Sequence, residues 1–388
     1  MSQQQQPLTG SVVVPAGCDA AACSSAGTDA TPLTASIFSA CELPEVHADH
    51  WRHLGSTNPR GPNPFLSYVY LRAIGESRPF VYAAVLRRGE SAVGYLPFQF
   101  ATHVHKRLKV AEPPGADLAG YFGLTGGSDC VLNPDILLTA CGLNYMWVEQ
   151  LDQSQRVHGL TAEEVRTGLI VDLQDGASHY WAEARRLDSR FVADTERRER
   201  QLATACGPLK FTFSTADPDV LDHLIEHKRA QYRRTGVMDA LGAPWRRRVL
   251  RRLAECRDPE CTGVLSTLYA GSTWVASHFG LLGGRTLYFW FPVYNPVLRR
   301  YSPGRLLVKA IIDAAEESGI AAIDRCGGDT QAKRDFANAE HTFYRGSWRR
   351  PCLATLTYQV GCSIYWRMSG LRQLIRDREL QEQGRPHA

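Results

Sequence analysis

Four consecutive residues, Ser302, Pro303, Gly304 and Arg305, stand ahead of an apolar repeat with helical spacing: Leu306, Leu307, Ala310, Ile311, Ala314 and Ala315. A helix start gathers backbone N–H groups without intrahelical partners, and with them partial positive charge. Ser302 has the side chain of an N-cap, and Pro303 suits the first helical position, where its missing N–H costs nothing. Gly304 has no Cβ, so a second molecule can approach the backbone there. Arg305 puts a cation in the first turn, which the helix dipole disfavours by about 0.3–1 kcal/mol unless an anion lies over that end. Ser302 to Leu306 are therefore either a well-capped helix start or a seat for an anionic group such as a diphosphate. Gly319 is the expected end of the helix.

Other residues with acid–base chemistry lie around this segment. His278 falls in the middle of three consecutive strand-like runs, as a base near neutral pH or as a strand histidine bonded to a neighbour's carbonyl. Tyr294 follows "WFPV" and is a candidate proton donor or a sheet-edge tyrosine. Asp324 ends a strand, at the edge where ligands of α/β sheets sit, or it pairs with Arg325 or Lys333. Lys333 follows "GGD" and can anchor an anion, or be a solvated helix lysine. Upstream, the Gly-rich loop "GADLAGYFG" carries Asp117 and Tyr121 as candidate substrate contacts. Two patterns suggest a metal: His223, Glu226 and His227 satisfy H-x-x-E-H, and His47, His50 and His53 share helical spacing. The first already has an amphipathic explanation in Leu221, Leu224 and Ile225, and the second has no completing ligands at metal-site spacing. No metal is expected.

The chain has 388 residues, with Lys and Arg exceeding Asp and Glu by a net charge of +4. That mild excess does not by itself point to nucleic acid or membrane. The run "WRRRVLRR" is a solvated face of an amphipathic helix or a phosphate-contacting patch. Eleven cysteines form no CxxC pair, the closest being Cys18/Cys23 and Cys256/Cys261. The N-terminus lacks a basic start followed by an apolar run, and no stretch approaches the roughly 18 apolar residues of a membrane span. Reduced thiols and a soluble, cytoplasmic protein are expected.

Residues 1–35, rich in Gln, Ala, Ser, Thr and Gly, are expected to be a disordered tail. The pattern from Ser36 to Arg72 is helical. "PFVYAAVLRR" and "SAVGYLPFQFATHV" form a hairpin, "NPDILLTACG" a helix capped by Asn133, and "NYMWVEQL" and "RTGLIVDL" strands. A long charged helix from Ala177 to Cys206 opens the second half. It is followed by the strand "LKFTFST", a helix ending at Gly236, and the Arg-rich helix. "GVLSTLYA", "STWVASHFGLLG" and "RTLYFWFPVY" are joined by short turns as an antiparallel meander. The Ser302 helix then crosses over to "GIAAIDRC", which must pair in parallel. The expected fold class is α/β, a mixed sheet with helices on both faces. It divides into two similarly ordered halves, residues 36–175 and 176–388.

A strand pair or meander, a crossover helix and a parallel strand form the core plan of GNAT acyltransferases. The segment from "GSTWVASHFG" to "TQAKRDFA" resembles bacterial CelD-like acyltransferases, a GNAT branch linked to cellulose and other exopolysaccharide synthesis. The resemblance rests on "ASHF", "YNP", "SPG" and the run Asp324, Gly328, Lys333, with weaker support from Trp51, Leu54, "NPFLSYVYL" and "GYLPF". It covers most of residues 45–345 and extends to FemAB-type transferases, which have two GNAT-like halves. The resemblance implies transfer of an acyl group from acetyl-CoA or another acyl-CoA to an amine or hydroxyl of a sugar or polysaccharide precursor. His278 would then be the base, Tyr294 the acid for the thiolate and Lys333 the oxyanion partner, with Asp324 beside them. The helix start would hold the diphosphate. The loop "RRYSPGRLL" departs from the Gln/Arg-x-x-Gly-x-Gly/Ala phosphate loop of GNAT enzymes, because Pro303 and Gly304 replace its second part. Aminoacyl-tRNA, the donor of FemAB-type relatives, is thus an alternative donor, and a non-catalytic subunit of an exopolysaccharide machine a further alternative.

Overall fold

The segment Leu33–Ser39 alternates small polar and apolar residues, and it pairs along its whole length as strand β1 with β2 (Val81–Arg88). Ser36 to Ser39 are therefore strand rather than helix, because cross-strand pairing outweighs a helix-like local pattern. The computed structural model describes residues 31–58 and 61–361; the tail expected over residues 1–35 lies outside them except for its last five residues. The described residues from Leu33 onward form one compact unit. A turn at Gly89 and Glu90 joins β2 to β3 (Ser91–Gln99), as expected, and β5 (Thr125–Gly126) completes a four-stranded sheet. Helices α1 (Glu45–Ser56) and α2 (Tyr68–Gly75) connect β1 to β2.

The larger sheet begins with β4 (Val110–Ala111), reached through α3 (His103–Leu108), and with β6 (Tyr145–Asp152), reached through α4 (Pro134–Ala140). Asn133 caps α4 as expected, its side chain accepting the Ile136 amide at 2.9 Å. β7 (Glu164–Asp172) ends the first half. The long charged helix is two helices, α5 (Ala177–Leu187) and α6 (Ser189–Cys206). Asp188 breaks it with non-helical backbone, and its carboxylate accepts the Phe191 amide as an N-cap. There follow β8 (Leu209–Thr212), α7 (Pro218–Thr235), α8 (Pro244–Glu255) and the short β9 (Arg257–Asp258).

The meander is β10 (Cys261–Ala270), β11 (Thr273–Gly283) and β12 (Thr286–Tyr294), antiparallel throughout. Helix α9 (Pro303–Asp313) then crosses to β13 (Ala322–Gly327), which pairs with β12 in parallel. After α10 (Gln331–Arg334), β14 (Ala339–Arg349) inserts between β6 and β7. The order is β4-β6-β14-β7-β13-β12-β11-β10-β8, with β9 on β10. The two expected halves thus both contribute to the larger sheet, in which β14, the last strand among the described residues, bridges two strands of the first half.

Apolar residues cover both faces. Trp51, Leu71, Leu224 and Leu250 from α1, α2, α7 and α8 pack with Phe279 and Phe291. Tyr180, Leu202, Leu307 and Ile311 from α5, α6 and α9 pack with Val275, Leu287 and Ile323. The approach of α8 to β10 is set by Gly263, where a Cβ would collide with the Leu253 carbonyl oxygen. Gly263→Ala should therefore destabilise the fold by about 1–3 kcal/mol in urea unfolding. An unchanged denaturation midpoint would contradict this packing.

Candidate active site

β12 and β13 part company within the sheet. Their parallel pairing covers Thr286↔Ala322, Leu287↔Ile323 and Tyr288↔Asp324 and then stops, while β12 continues to Tyr294 and β13 to Gly327. On its other edge β13 pairs with β7 throughout, from Ala322↔Asp172 to Gly327↔Gly168, with a bulge between Asp324 and Gly327 and Cys326 at φ 52°. A cavity of about 420 Å³ opens at this point. Phe289, Pro292, Tyr294 and Arg325 from the two strands line it, with Ser302 to Arg305 and Val308 of α9, and Arg299, Gln231, Asp335 and Phe336.

The expected anion seat is thus an edge of this cavity. A Cβ on Gly304 would meet only Tyr294 Cδ1, at 3.9 Å, so the backbone there is open. The Arg305 and Leu306 amides both donate to the Ser302 carbonyl, at 2.9 and 3.2 Å. Pro303 has no N–H, which leaves the Gly304 amide as the group facing outward from the first turn.

Three details differ from expectation. Ser302 is left-handed, at φ 53°, and its side chain makes no capping bond; it ends the preceding 3-10 turn, Pro296–Tyr301, instead. Arg305 stacks on Phe191 at 4.6 Å and donates to Asp194 at 2.9 Å, so its guanidinium is tied to α6. Asp194 is shared with Arg197 and Arg198, whose hydrogen bonds hold its pKa down at about 2. The helix also stops at Asp313, capped at Ala314, short of Gly319.

The remaining expected residues are not gathered in one place. His278 is fully buried in β11, its ring stacked on Phe289 with centroids 4.1 Å apart and its Nε2 accepting the Trp290 amide at 3.3 Å. Burial, with the nearby charges of Arg325 and Lys228, pushes its pKa down to about 3. A ring so desolvated is a poor base near neutral pH, and it does not line the cavity; the expected catalytic role does not fit. Asp324 points to the opposite face of β13 from Arg325, as strand alternation requires. There it accepts the Tyr121 hydroxyl at 2.9 and 3.0 Å and the Cys326 amide at 2.7 Å. His341 Nε2 lies 2.5 Å from the same hydroxyl. Desolvation raises the Asp324 pKa, and burial with the neighbouring Asp324 raises that of Tyr121 well above the usual phenol range. Tyr121 and Asp324 thus form one buried cluster with His341, outside the cavity lining.

Lys333 donates to the Gly327 carbonyl at 2.6 Å, half-buried next to the cavity residue Ala332, and desolvation lowers its pKa. Asp117 is tied to Arg246 at 2.5 and 3.0 Å. Of the metal-like patterns, His223 and His227 both lie against Trp274, and His47 and His50 hydrogen-bond to the Tyr95 hydroxyl. Sequence reasoning missed Arg299, exposed at the cavity edge, and Arg325 on its wall.

The sequence between α6 and α10 is also similar to a known family. Residues 189–334 match an acetyltransferase (GNAT) domain. The match takes in the meander, the crossover helix and the parted strand pair. Among solved structures, FemX superposes with a TM-score of 0.55 at 9% identity, over 84% of this chain and 99% of FemX. The C-terminal domain of a putative lysylphosphatidylglycerol synthetase from Agrobacterium fabrum gives 0.48 at 11% identity, over 75% and 90% of the two chains. A tandem GNAT protein from the clavulanic acid biosynthesis pathway gives 0.41 at 12%, over 81% and 96%. No curated protein sequence matches. The fold is GNAT-like, mixed α/β with helices on both faces. No helix among the described residues is long and apolar enough to cross a membrane.

The burial of His278 has a measurable consequence. Its folded pKa is near 3 against an unfolded value of 6.5, so between these values the unfolded chain binds the extra proton. Its contribution to stability is complete above pH 6.5 and falls as pH drops toward 3, at up to about 1.4 kcal/mol per pH unit. His278→Gln keeps an acceptor for Trp290 and should flatten the wild-type loss of stability between pH 6 and 4 in urea melts. Parallel pH profiles for the two proteins would show that His278 is not held neutral.

Proposed function

We propose that the protein is a GNAT-type acyltransferase. It moves an acyl group from acyl-CoA, with acetyl-CoA the simplest donor, to an amine or hydroxyl of a sugar or polysaccharide precursor. The observation that carries this reading is the cavity between the parted strands, bordered by the open helix start at Gly304. The outward amide of Gly304 and the end of the helix dipole suit a diphosphate. Exposed Arg299 supplies a nearby cation that makes no ion pair among the described residues, in place of the role expected for Arg305.

A pantetheine arm entering from that end would run between Phe289 and Tyr294 toward the point where β12 and β13 separate. The acceptor's nitrogen or oxygen attacks the thioester carbonyl, the C–S bond breaks, and the thiolate takes a proton from the Tyr294 hydroxyl. The proton lost by the acceptor restores the phenol. Lys333 remains a candidate anchor beside the cavity. The saccharide acceptor rests on the CelD-like resemblance of "ASHF", "YNP" and "SPG".

A tRNA-dependent transferase would draw on Arg-rich helices for phosphate contacts, and the arginines of α8 are largely occupied. Arg246 pairs with Asp117, Arg251 with Asp222 and Arg252 with Glu76, while Arg247 and Arg248 donate to backbone carbonyls. Arginines engaged in this way form an intramolecular net rather than a free phosphate track.

Gly304→Glu puts a carboxylate and its bulk over the diphosphate seat without crowding the backbone. It should keep the wild-type melting temperature and weaken CoA binding at least tenfold, about 1.4 kcal/mol, in calorimetric titration. Thermal shifts with acetyl-CoA, longer acyl-CoAs and bulk tRNA complete the comparison. Salt-sensitive stabilisation by tRNA with no response to any thioester would overturn the reading.

A further inference from the structure

One charge in the cavity is not used by the diphosphate seat. Arg325 is only 7% exposed, and its Nε and Nη1 have no hydrogen-bond partner among the described residues. Its guanidinium lies over the Phe289 ring at 4.7 Å, and it forms no ion pair among the described residues. Asp335, on the same cavity, stands 3.9 Å from Arg305 and acts on Arg325 only through space. Burial lowers the Arg325 pKa to about 10, which still leaves the group charged at neutral pH. A desolvated cation with free donors is unfavourable until an anion meets it, and a guanidinium suits a planar two-oxygen anion best.

The surroundings narrow the class of anion. Phe289, Pro292, Val308 and Phe336 give the cavity apolar walls that suit methylene groups. Asp335 disfavours a doubly charged phosphate so close by, whereas a single carboxylate balances Arg325 alone. We propose that Arg325 is a specificity residue that receives a carboxylate of the substrate, carried at the far end of the acyl group or on the acceptor. This deepens the acyltransferase reading and rests on the cavity being the thioester site.

The test compares wild type with Arg325→Gln. Calorimetric titrations use CoA, butyryl-CoA and succinyl-CoA, and turnover with acetyl-CoA is measured on β-alanine and on propylamine. The expected result is that succinyl-CoA binds at least tenfold more tightly than butyryl-CoA, or that β-alanine is preferred at least tenfold over propylamine. The first locates the carboxylate on the acyl group and the second on the acceptor. Either preference should vanish in Arg325→Gln while CoA itself binds unchanged. The variant's melting temperature should not fall, because it loses an unpaired buried charge rather than a structural ion pair.

CoA binding with neither carboxylate preference, or a preference that survives in Arg325→Gln, overturns the assignment. A lower melting temperature with unchanged selectivity makes Arg325 structural and also overturns it. Failure of CoA itself to bind overturns the thioester reading. Sodium succinate then tests Arg325 directly: stabilisation of wild type but not of Arg325→Gln supports the carboxylate receptor, and no difference overturns it.

Discussion

The separation of β12 from β13 after the Tyr288–Asp324 pair is the constraint on which the rest of the site depends. A parallel pair that stops midway exposes backbone groups that must find other partners. Here β13 stays paired with β7 on its other edge, across a bulge, and the Pro292 carbonyl of β12 accepts the buried Lys228 ammonium at 2.8 Å. Burial lowers the Lys228 pKa to about 8. The space left between the strands is walled by Phe289 and Arg325 and bordered by the start of α9. Cavity and helix start therefore arise from one topological event, a crossover helix returning to a strand that pairs over only part of its length.

Desolvation then sorts residues that look alike in the sequence. Arg305 and Arg325 both lie beside the cavity, but the first is tied to Asp194 and the second forms no ion pair among the described residues. Asp324 is a candidate catalytic residue in the sequence and Asp117 a candidate substrate contact. The one is sealed with Tyr121 and His341 on the far face of β13, and the other is held by Arg246. Polar groups already satisfied by the protein are structural members, and those buried without partners are where a ligand contributes most.

Much of the fold was legible because its signals are local. The meander announced itself through its short turns, α4 through Asn133, and the crossover helix through the apolar spacing from Leu306 to Ile311. The position of the helix start was legible too, though not its geometry, since nothing in "YSPG" tells that Ser302 ends a 3-10 turn in the left-handed region. The insertion of β14 between β6 and β7 left no trace, because pairing across nearly 200 residues is set by the whole sheet. The break at Asp188 was hidden by helix-forming neighbours on both sides. Arg325 was in view beside Asp324, but its isolation depends on the faces of two strands and a helix, which no spacing encodes. His278 failed as a base for the same reason, its ring being enclosed by Phe289 and by residues distant in sequence.

The most direct measurement is a crystal structure of the protein grown with coenzyme A. The expected electron density places the diphosphate over the Gly304 amide and the thiol between Phe289 and Tyr294, where β12 and β13 part. Coenzyme A bound elsewhere, or an empty cavity at saturating concentration, would contradict the site.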